Sequence, residues 1–435
     1  MRNRIIYLFA LLYIFSGPAA AVPKIEHWET DNGARVYFIE THALPVVDVN
    51  LVFNAASVRE PAEKQGLAML TSNMLLEGSS GLDSQAIAEG FEDRGAEVGT
   101  SSLRDMAIVS LRCLSDKKYL EPVVEHLVKV ITDPVFPEKN LAREKARSLT
   151  SLDHSLQQPN TVGSRQLYEK LFNGHPYANH PQGTHDSINS ITRADLIDFY
   201  RQYYVASNMV IAIVGDLKLA QARSLARKIS MKFATGKPAA ALPEVSPVKG
   251  GEYRIDFPST QSHVMTGYLG IKRNDPRYLA LKVGNYSLGG GGFQSRMMDE
   301  IREKRGLSYG AYSYFLSMQQ TGPFFASLAT ANDQAEEAFS VSKEVIKDYL
   351  KTGPTEKELE LAKKNITGGF PLTIDSNKKL VQTLAAIGFY RLPDDYLDTY
   401  IERVNALDRI EVTEAMQSVL GSKNHVTVIV GAGQN

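Results

Sequence analysis

A single cysteine, Cys113, stands in a chain of 435 residues, so a disulfide framework, a cysteine-rich zinc module and an iron–sulfur site are all excluded. Charge of one sign is equally scarce: 48 Lys+Arg against 49 Asp+Glu gives a net charge of −1, which offers nothing to a polyanion. Hydrophobic residues at 43% and charged residues at 22% leave no room for a disordered or collagen-like reading. The chain also lacks a phosphate-binding signature. Gly289, Gly290, Gly291 and Gly292 form a run without the Lys-Ser/Thr of a P-loop or the spaced glycines of a dinucleotide fold, and the run follows a helix pattern rather than a strand. Long apolar runs are short too. The one at 5–15 has 11 residues, below the length of a bilayer span. It follows Arg2 and Arg4 and ends in Ala19-Ala20-Ala21, which predicts a secretory leader with cleavage after Ala21 and an exported, periplasmic product. The lone thiol needs no partner there and is expected to be buried on the apolar strand 108–114.

What is present is a repeat. Asn208 to Gly215 (NMVIAIVG) returns as Asn424 to Gly431 (NHVTVIVG), 216 residues later, and Asn189 to Arg193 returns as Asn405 to Arg409 at the same offset. Pro137 to Leu141 parallels Thr355 to Leu359 at 218, and Leu67-Ala68 parallels Leu279-Ala280 at 212. Ordered matches with a slowly drifting offset imply a duplicated unit. In each unit β-rich segments (46–53; 262–269) precede two helices (63–77 and 85–94; 278–288 and 294–304). Further strands (106–114; 324–329), long amphipathic helices and the Val-Gly strand complete it. The expected fold class is α+β, with two duplicated units whose sheets are covered by helices on one face. Residues 22–235 form the first unit and 249–435 the second. The Pro- and Ala-rich stretch 236–248 reads as a semi-rigid linker.

Histidines do not cluster. His175, His180 and His185 stand five apart in a Pro/Gly-rich loop, where helical ligand pairs need three or four, so a packed loop with incidental histidines is expected. Arg302 sits among Asp299, Glu300 and Glu303, which on residues alone reads as a salt-bridged helix end, and Tyr309 alternates with nearby Tyr312 and Tyr314 as in a strand.

The chain resembles the M16 family of inverted zinc peptidases (pitrilysin-, insulysin- and mitochondrial-processing-peptidase-like), in particular its bacterial two-subunit branch. The resemblance is carried by Asp133-Pro-Val-Phe-Pro137, His175-Pro-Tyr177, Ile213-Val-Gly-Asp216, Leu288-Gly-Gly-Gly-Gly-Phe293, Ser295-Arg296 and the run from Ile301 to Tyr309. It implies two α/β-sandwich units of the LuxS/processing-peptidase-like metallohydrolase fold. The family's His-x-x-Glu-His motif falls on Met69, Ser72 and Asn73, and its third ligand on about Thr150. By this resemblance the metal set is degenerate at all of these positions, so no cofactor is expected in this chain. The family's Arg and Tyr, seven apart, match Arg302 and Tyr309. The resemblance therefore implies a zinc-free subunit that lends Arg302 and Tyr309 in trans to a homologous partner carrying zinc, acting on short or unfolded peptides. Gly289–Gly292 is implied to touch substrate. The alternative is an inert pseudopeptidase with a structural or peptide-binding role.

Overall fold

The computed structural model describes residues 24–432, so the leader expected at 1–21 lies outside the described residues. The first half runs β1 (Glu26–Glu29), β2 (Arg35–Glu40), β3 (Val46–Phe53), α1 (Leu67–Met74), a short hairpin β4–β5 (Gly78–Ser79, Leu82–Asp83), α2 (Ser84–Glu92), β6 (Glu97–Ser102) and β7 (Ala107–Leu114). Helices α3 (Lys117–Thr132), α4 (Glu138–Leu156), α5 (Pro159–Leu171), α6 (His185–Ser190) and α7 (Arg193–Tyr203) follow, then β8 (Met209–Gly215) and α8 (Leu219–Ser230). The second half runs β9 (Gly251–Asp256), β10 (Gln261–Leu269), α9 (Tyr278–Asn285), β11 (Ala311–Phe315) and β12 (Pro323–Ala331). It ends with α10 (Ala335–Thr352), α11 (Glu356–Gly369), α12 (Asn377–Tyr390), α13 (Tyr396–Ala406), α14 (Arg409–Leu420) and β13 (Val426–Gly431).

The two sheets repeat one topology. The first is ordered β1-β2-β8-β3-β7-β6 and the second β11-β12-β10-β13-β9, the same arrangement without a counterpart of β1. Even the register is kept: Arg35 pairs with Val210 in parallel β2–β8, and Gly251 with Val426 in parallel β9–β13, both 216 apart. Capping repeats as well. Thr192 and Asp195 close a capping box at the start of α7, and Asp408 and Glu411 close one at α14, each supplying partners for the orphan N–H groups of a helix start. The fold is thus α+β with duplicated units.

Coverage of the sheets differs from the expectation of helices on one face. The second face of each sheet is also covered, by a helix from the other half. α5 lies across β13 and β10, while α12 lies across β8, β3 and β2. Pro159 and Asn377, where these helices begin, are 218 apart, so equivalent elements are exchanged. Both make close approaches through a glycine. A Cβ at Gly163 would fall 3.0 Å from a Val430 methyl, and one at Gly388 would fall 2.7 Å from the Tyr37 ring. One apolar core consequently joins Tyr37, Val52 and Val210 to Leu380, Leu384 and Ile387.

Polar contacts tighten the same junction. Buried Asp105 accepts from the Tyr177 hydroxyl (2.8 Å), the Gln319 N–H (2.7 Å) and the Tyr390 hydroxyl (3.3 Å). The segment 236–248 is a strap fastened on both sides. Arg59 donates to the Ala240 carbonyl (2.7 Å), Gln320 to Leu242 (3.1 Å), and the His175 Nε2 contacts the Pro243 carbonyl (3.1 Å).

Candidate functional site

Helix α1 starts abruptly because Gly66 takes a left-handed conformation (φ 93°), and the buried Glu60 carboxylate accepts the N–H groups of Gly66 (3.1 Å) and Ala68 (2.6 Å). These are helix-terminal donors with no intrahelical partner. Burial pushes Glu60 up to about 8. The helix presents Met69 and Asn73, one turn apart, to a cavity of about 440 Å³ shared with Thr100 of β6 and with Glu144, Ser148 and Ser151 of α4. Ser72 is buried and faces Tyr204 instead of the cavity.

Thr150, aligned with the third ligand, is exposed and its hydroxyl bonds the Ala146 carbonyl (3.0 Å). Successive residues turn about 100° around a helix, so one step of misalignment moves a side chain off the site. The residues that α4 offers are Glu144, Arg147, Ser148 and Ser151, not Thr150.

Zinc does not fit this donor set. The cavity offers a thioether, amides, hydroxyls and the carboxylates of Glu144 and Glu77, where zinc takes thiolate, imidazole and carboxylate. Glu77 is engaged by Asn140 (2.7 Å) and by Arg143. Glu144, 4% exposed, has Arg143 and Arg147 nitrogens no closer than 3.7 and 3.8 Å. Among the described residues no group of three or more His, Cys, Asp or Glu could hold a metal ion. The spaced histidines part company: His175 accepts from the Tyr177 N–H (3.0 Å), burial pushes His180 down to about 4, and His185 pairs with Asp153 (2.7 Å). Cys113 is buried, its thiol pushed up to about 12.

A second site lies in the other half. α9 widens into a π-helical segment at Tyr286–Gly290, and another π segment spans Met298–Glu303. Such widened turns recur at functional sites. The glycines have separate duties. A Cβ at Gly289 would fall 2.4 Å from the Ser313 hydroxyl of β11, one at Gly290 2.5 Å from the Asn285 amide, and one at Gly291 2.6 Å from the Tyr286 carbonyl. These three permit packing. Gly292 has φ 58° with open space beside it, and it presents Phe293, which is 62% exposed.

Arg302 rises from the second π segment. Its Nη1 donates to the Tyr309 carbonyl (3.0 Å), its guanidinium lies 4.6 Å from the centre of the Phe293 ring, and its Nε is 3.4 Å from Glu303. Neighbouring charges are committed elsewhere: Lys304 and Arg305 hold Glu300, and Arg296 holds Glu358 (2.7 Å). The Tyr309 side chain is 86% exposed, and among the described residues no hydrogen bond engages its hydroxyl. Arg302 and Tyr309 line a cavity of about 550 Å³ with Ser308, Gln261, Thr330 and Gln334. The structure therefore brings Arg302 and Tyr309 together and keeps Met69 and Asn73 together in the other half.

Sequence reasoning missed Glu144 and Phe293. Glu144 shares a buried stripe with Leu141, Ser148 and Leu152, which was readable from helical spacing. Phe293 was visible as a bulky apolar residue closing a glycine run.

The family model for insulinase (peptidase family M16) matches residues 35–185, and the model for the peptidase M16 inactive domain matches residues 190–366. A crystal structure of a peptidase M16 inactive domain from Pseudomonas fluorescens is similar with TM-score 0.91 and 40% identity, covering 94% of this chain and 98% of that one. The non-peptidase homolog YmxG of Helicobacter pylori is 25% identical, over 94% of each chain. The structure of a protease from Helicobacter pylori gives TM-score 0.85 at 18% identity, covering 94% of this chain and 99% of that one, and shows the shared fold.

Proposed function

Because this chain belongs to the peptidase M16 (insulinase) family, we propose that it is the metal-free member of a two-chain peptidase, acting on peptides bound between itself and a homologous partner. The partner's His-x-x-Glu-His helix would hold the zinc and the general base. The observation that carries this reading is a catalytic-type pair with nothing to act on in its own chain. Tyr309 presents an uncommitted phenol beside an anchored Arg302, while the chain's own motif helix carries no metal-binding set. Relatives named as an inactive domain and a non-peptidase homolog support the loss of activity in the isolated chain.

The chemistry follows from the donors left over. Arg302 spends one N–H on the Tyr309 carbonyl and one face on Phe293, which fixes the plane of the fork. Its remaining N–H groups can hold a peptide carbonyl, or a C-terminal carboxylate bidentately. The Tyr309 hydroxyl donates to the oxygen of the scissile carbonyl as charge develops on it, usually the largest electrostatic contribution in acyl chemistry. Gly292, with open space beside it, is where peptide backbone can approach. In this reading residues 1–21 are a leader to the periplasm, 22–235 and 249–435 are the two units, and 236–248 is the strap. Among the described residues no helix is long and apolar enough to cross a membrane.

The test is purification from the native host, followed by kinetics on the reconstituted pair. Tyr309→Phe should leave the complex assembled and lower turnover by about 10²–10³, as for loss of one oxyanion donor. Arg302→Ala should raise KM, and Arg302→Lys should recover little because a point charge does not reproduce the fork. Arg305→Ala, whose partner is Glu300, should stay near wild type. Wild-type kinetics for both Tyr309→Phe and Arg302→Ala would leave the inert pseudopeptidase as the better account.

A further inference from the structure

The first sheet contains a polar pair in a place where the fold does not require one. On β3 the side chains Val47, Val49, Leu51 and Phe53 face one core and are fully buried. On the opposite face Asp48 and Asn50 are 4% and 5% exposed, almost as deeply buried as their apolar neighbours. The repeat supplies the comparison. Asp48 lies opposite Val214 and Asn50 opposite Ala212, whereas in the second sheet His263 lies opposite Val430 and Met265 opposite Val428. The counterpart of Asn50 is therefore Met265, which packs beneath α5. An apolar side chain suits this position once an exchanged helix covers the sheet.

The Asp48 carboxylate is only half paired, and the Asn50 amide opens on the groove beside it. Arg112 reaches one Asp48 oxygen at 3.3 Å, and the other, Oδ2, is buried without a hydrogen-bond partner among the described residues. No hydrogen bond among them reaches the Asn50 amide either. Burying a polar atom unpaired is costly, so the enclosed Asp48 oxygen calls for a partner. Burial raises the Asp48 pKa and Arg112 opposes it, as for an acid short of donors.

Both side chains line a groove of about 250 Å³ with Ser110, Arg112, Glu97 and Lys378. α12 supplies Lys378 as one wall, and the row Asn50–Ser110–Gly99 runs across the sheet to the outer strand β6. Gly99 has no side chain, so that row is a low trough open at the sheet edge. The groove is smaller than the roughly 300–1,000 Å³ of sites for drug-sized ligands. Its chemistry is two-ended. An unpaired carboxylate oxygen and an amide lie at depth with part-exposed Arg112 against Asp48 (3.3 Å), while the exposed Lys378 and Glu97 stand nearer the mouth.

We propose that this groove binds a free α-amino acid, with its ammonium on Asp48 and Asn50 and its carboxylate toward Arg112 and Lys378. The site uses neither Arg302 nor Tyr309 and stands whether or not the trans-acting role holds. Hydrogen bonds between ionised partners are the strong ones, and this arrangement gives Asp48 Oδ2 the donor it lacks.

The experiment is titration calorimetry on the mature full-length chain with glycine, L-leucine, L-glutamate and L-lysine, and with N-acetyl-leucine and leucinamide as probes lacking one charge. At least one free amino acid should bind saturably, and acetylation or amidation of leucine should weaken its binding about tenfold or more. Asp48→Asn should lose affinity by a similar factor. Asn50→Met, which copies the second sheet, should fold with an unchanged or raised Tm and bind none of the four, and it decides the matter if Asp48→Asn fails to fold. The proposal is overturned if none of the four gives saturable heat, if Asn50→Met binds like wild type, or if N-acetyl-leucine binds as well as leucine.

Discussion

Separating the two halves at the strap should unfold both, although the sequence repeat marks that place as a natural boundary. α12 sends Leu380, Val381, Leu384, Ile387 and Phe389 into a core that also contains Tyr37, Ile39, Val52 and Val210 of the first sheet. Full burial of one such side chain contributes about 1.5–3 kcal/mol, so the five together contribute about 7–15 kcal/mol, an upper range because the unfolded chain already buries some surface. If only half of that comes from contact with the first sheet, its loss equals much of the roughly 5–15 kcal/mol that keeps a typical protein folded. The second half loses Leu167, Tyr168 and Leu171 of α5 in return. The assay is near-UV circular dichroism and urea unfolding of 22–235, of 249–435, and of the two produced together. Neither fragment alone should give a cooperative transition, and the pair should recover one. A native near-UV spectrum and a cooperative melt from 22–235 alone would refute the exchange as a stabilising device. Gly388→Val is the gentler version. Its Cβ would meet the Tyr37 ring and a Val210 methyl at 2.7 Å, and overpacking of this kind costs about 1–3 kcal/mol, with both halves still unfolding in one transition.

Glu60 should make stability fall with rising pH. Its folded pKa of about 8 lies above the unfolded value of 4.5, so its contribution is complete below that value and is lost as pH rises toward 8, at about 1.4 kcal/mol per unit. Urea unfolding across that range should show the slope, and Glu60→Gln should flatten it. Metal analysis of the purified chain should find no stoichiometric zinc, and Met69→His alone should not create a tight site, because zinc needs at least three protein ligands and Asn73 and Ser148 beside it are not among its usual ones. Phe293→Ala should raise KM in the reconstituted pair with less effect on kcat, since it frees the Arg302 fork without touching the Tyr309 hydroxyl. An unchanged KM would remove Phe293 from the site.

The repeat was legible because it is written in strand ends, where one register serves both sheets: the 216-residue offset of the Val-Gly strands is also the offset of their hydrogen-bond partners. The proximity of the candidate residues was legible where it is local. Arg302 and Tyr309 are joined by a short turn, and Met69 and Asn73 by one turn of helix. It was less legible between α1 and α4, where a hairpin, two helices and two strands intervene and no local spacing fixes the position; Thr150 does not line the cavity. The π segments around Gly289 and Arg302 left no mark of their own, since one extra residue in a turn does not disturb an apolar pattern enough to be read.

The deeper limit concerns which half covers which sheet. Amphipathic spacing says that α5 and α12 bury one face each, but not against what. The same ignorance hides Asp48 and Asn50. In sequence, Val47-Asp48-Val49-Asn50-Leu51 alternates as a strand with one face in water, and a polar face needs no explanation there. Only when α12 arrives from more than 300 residues away does that face become an interior, and only then is an Asp48 oxygen enclosed without a partner. The exchange of helices therefore does two things at once. It ties the two units together through a shared core, and it encloses a trough on a sheet that would otherwise be open to solvent.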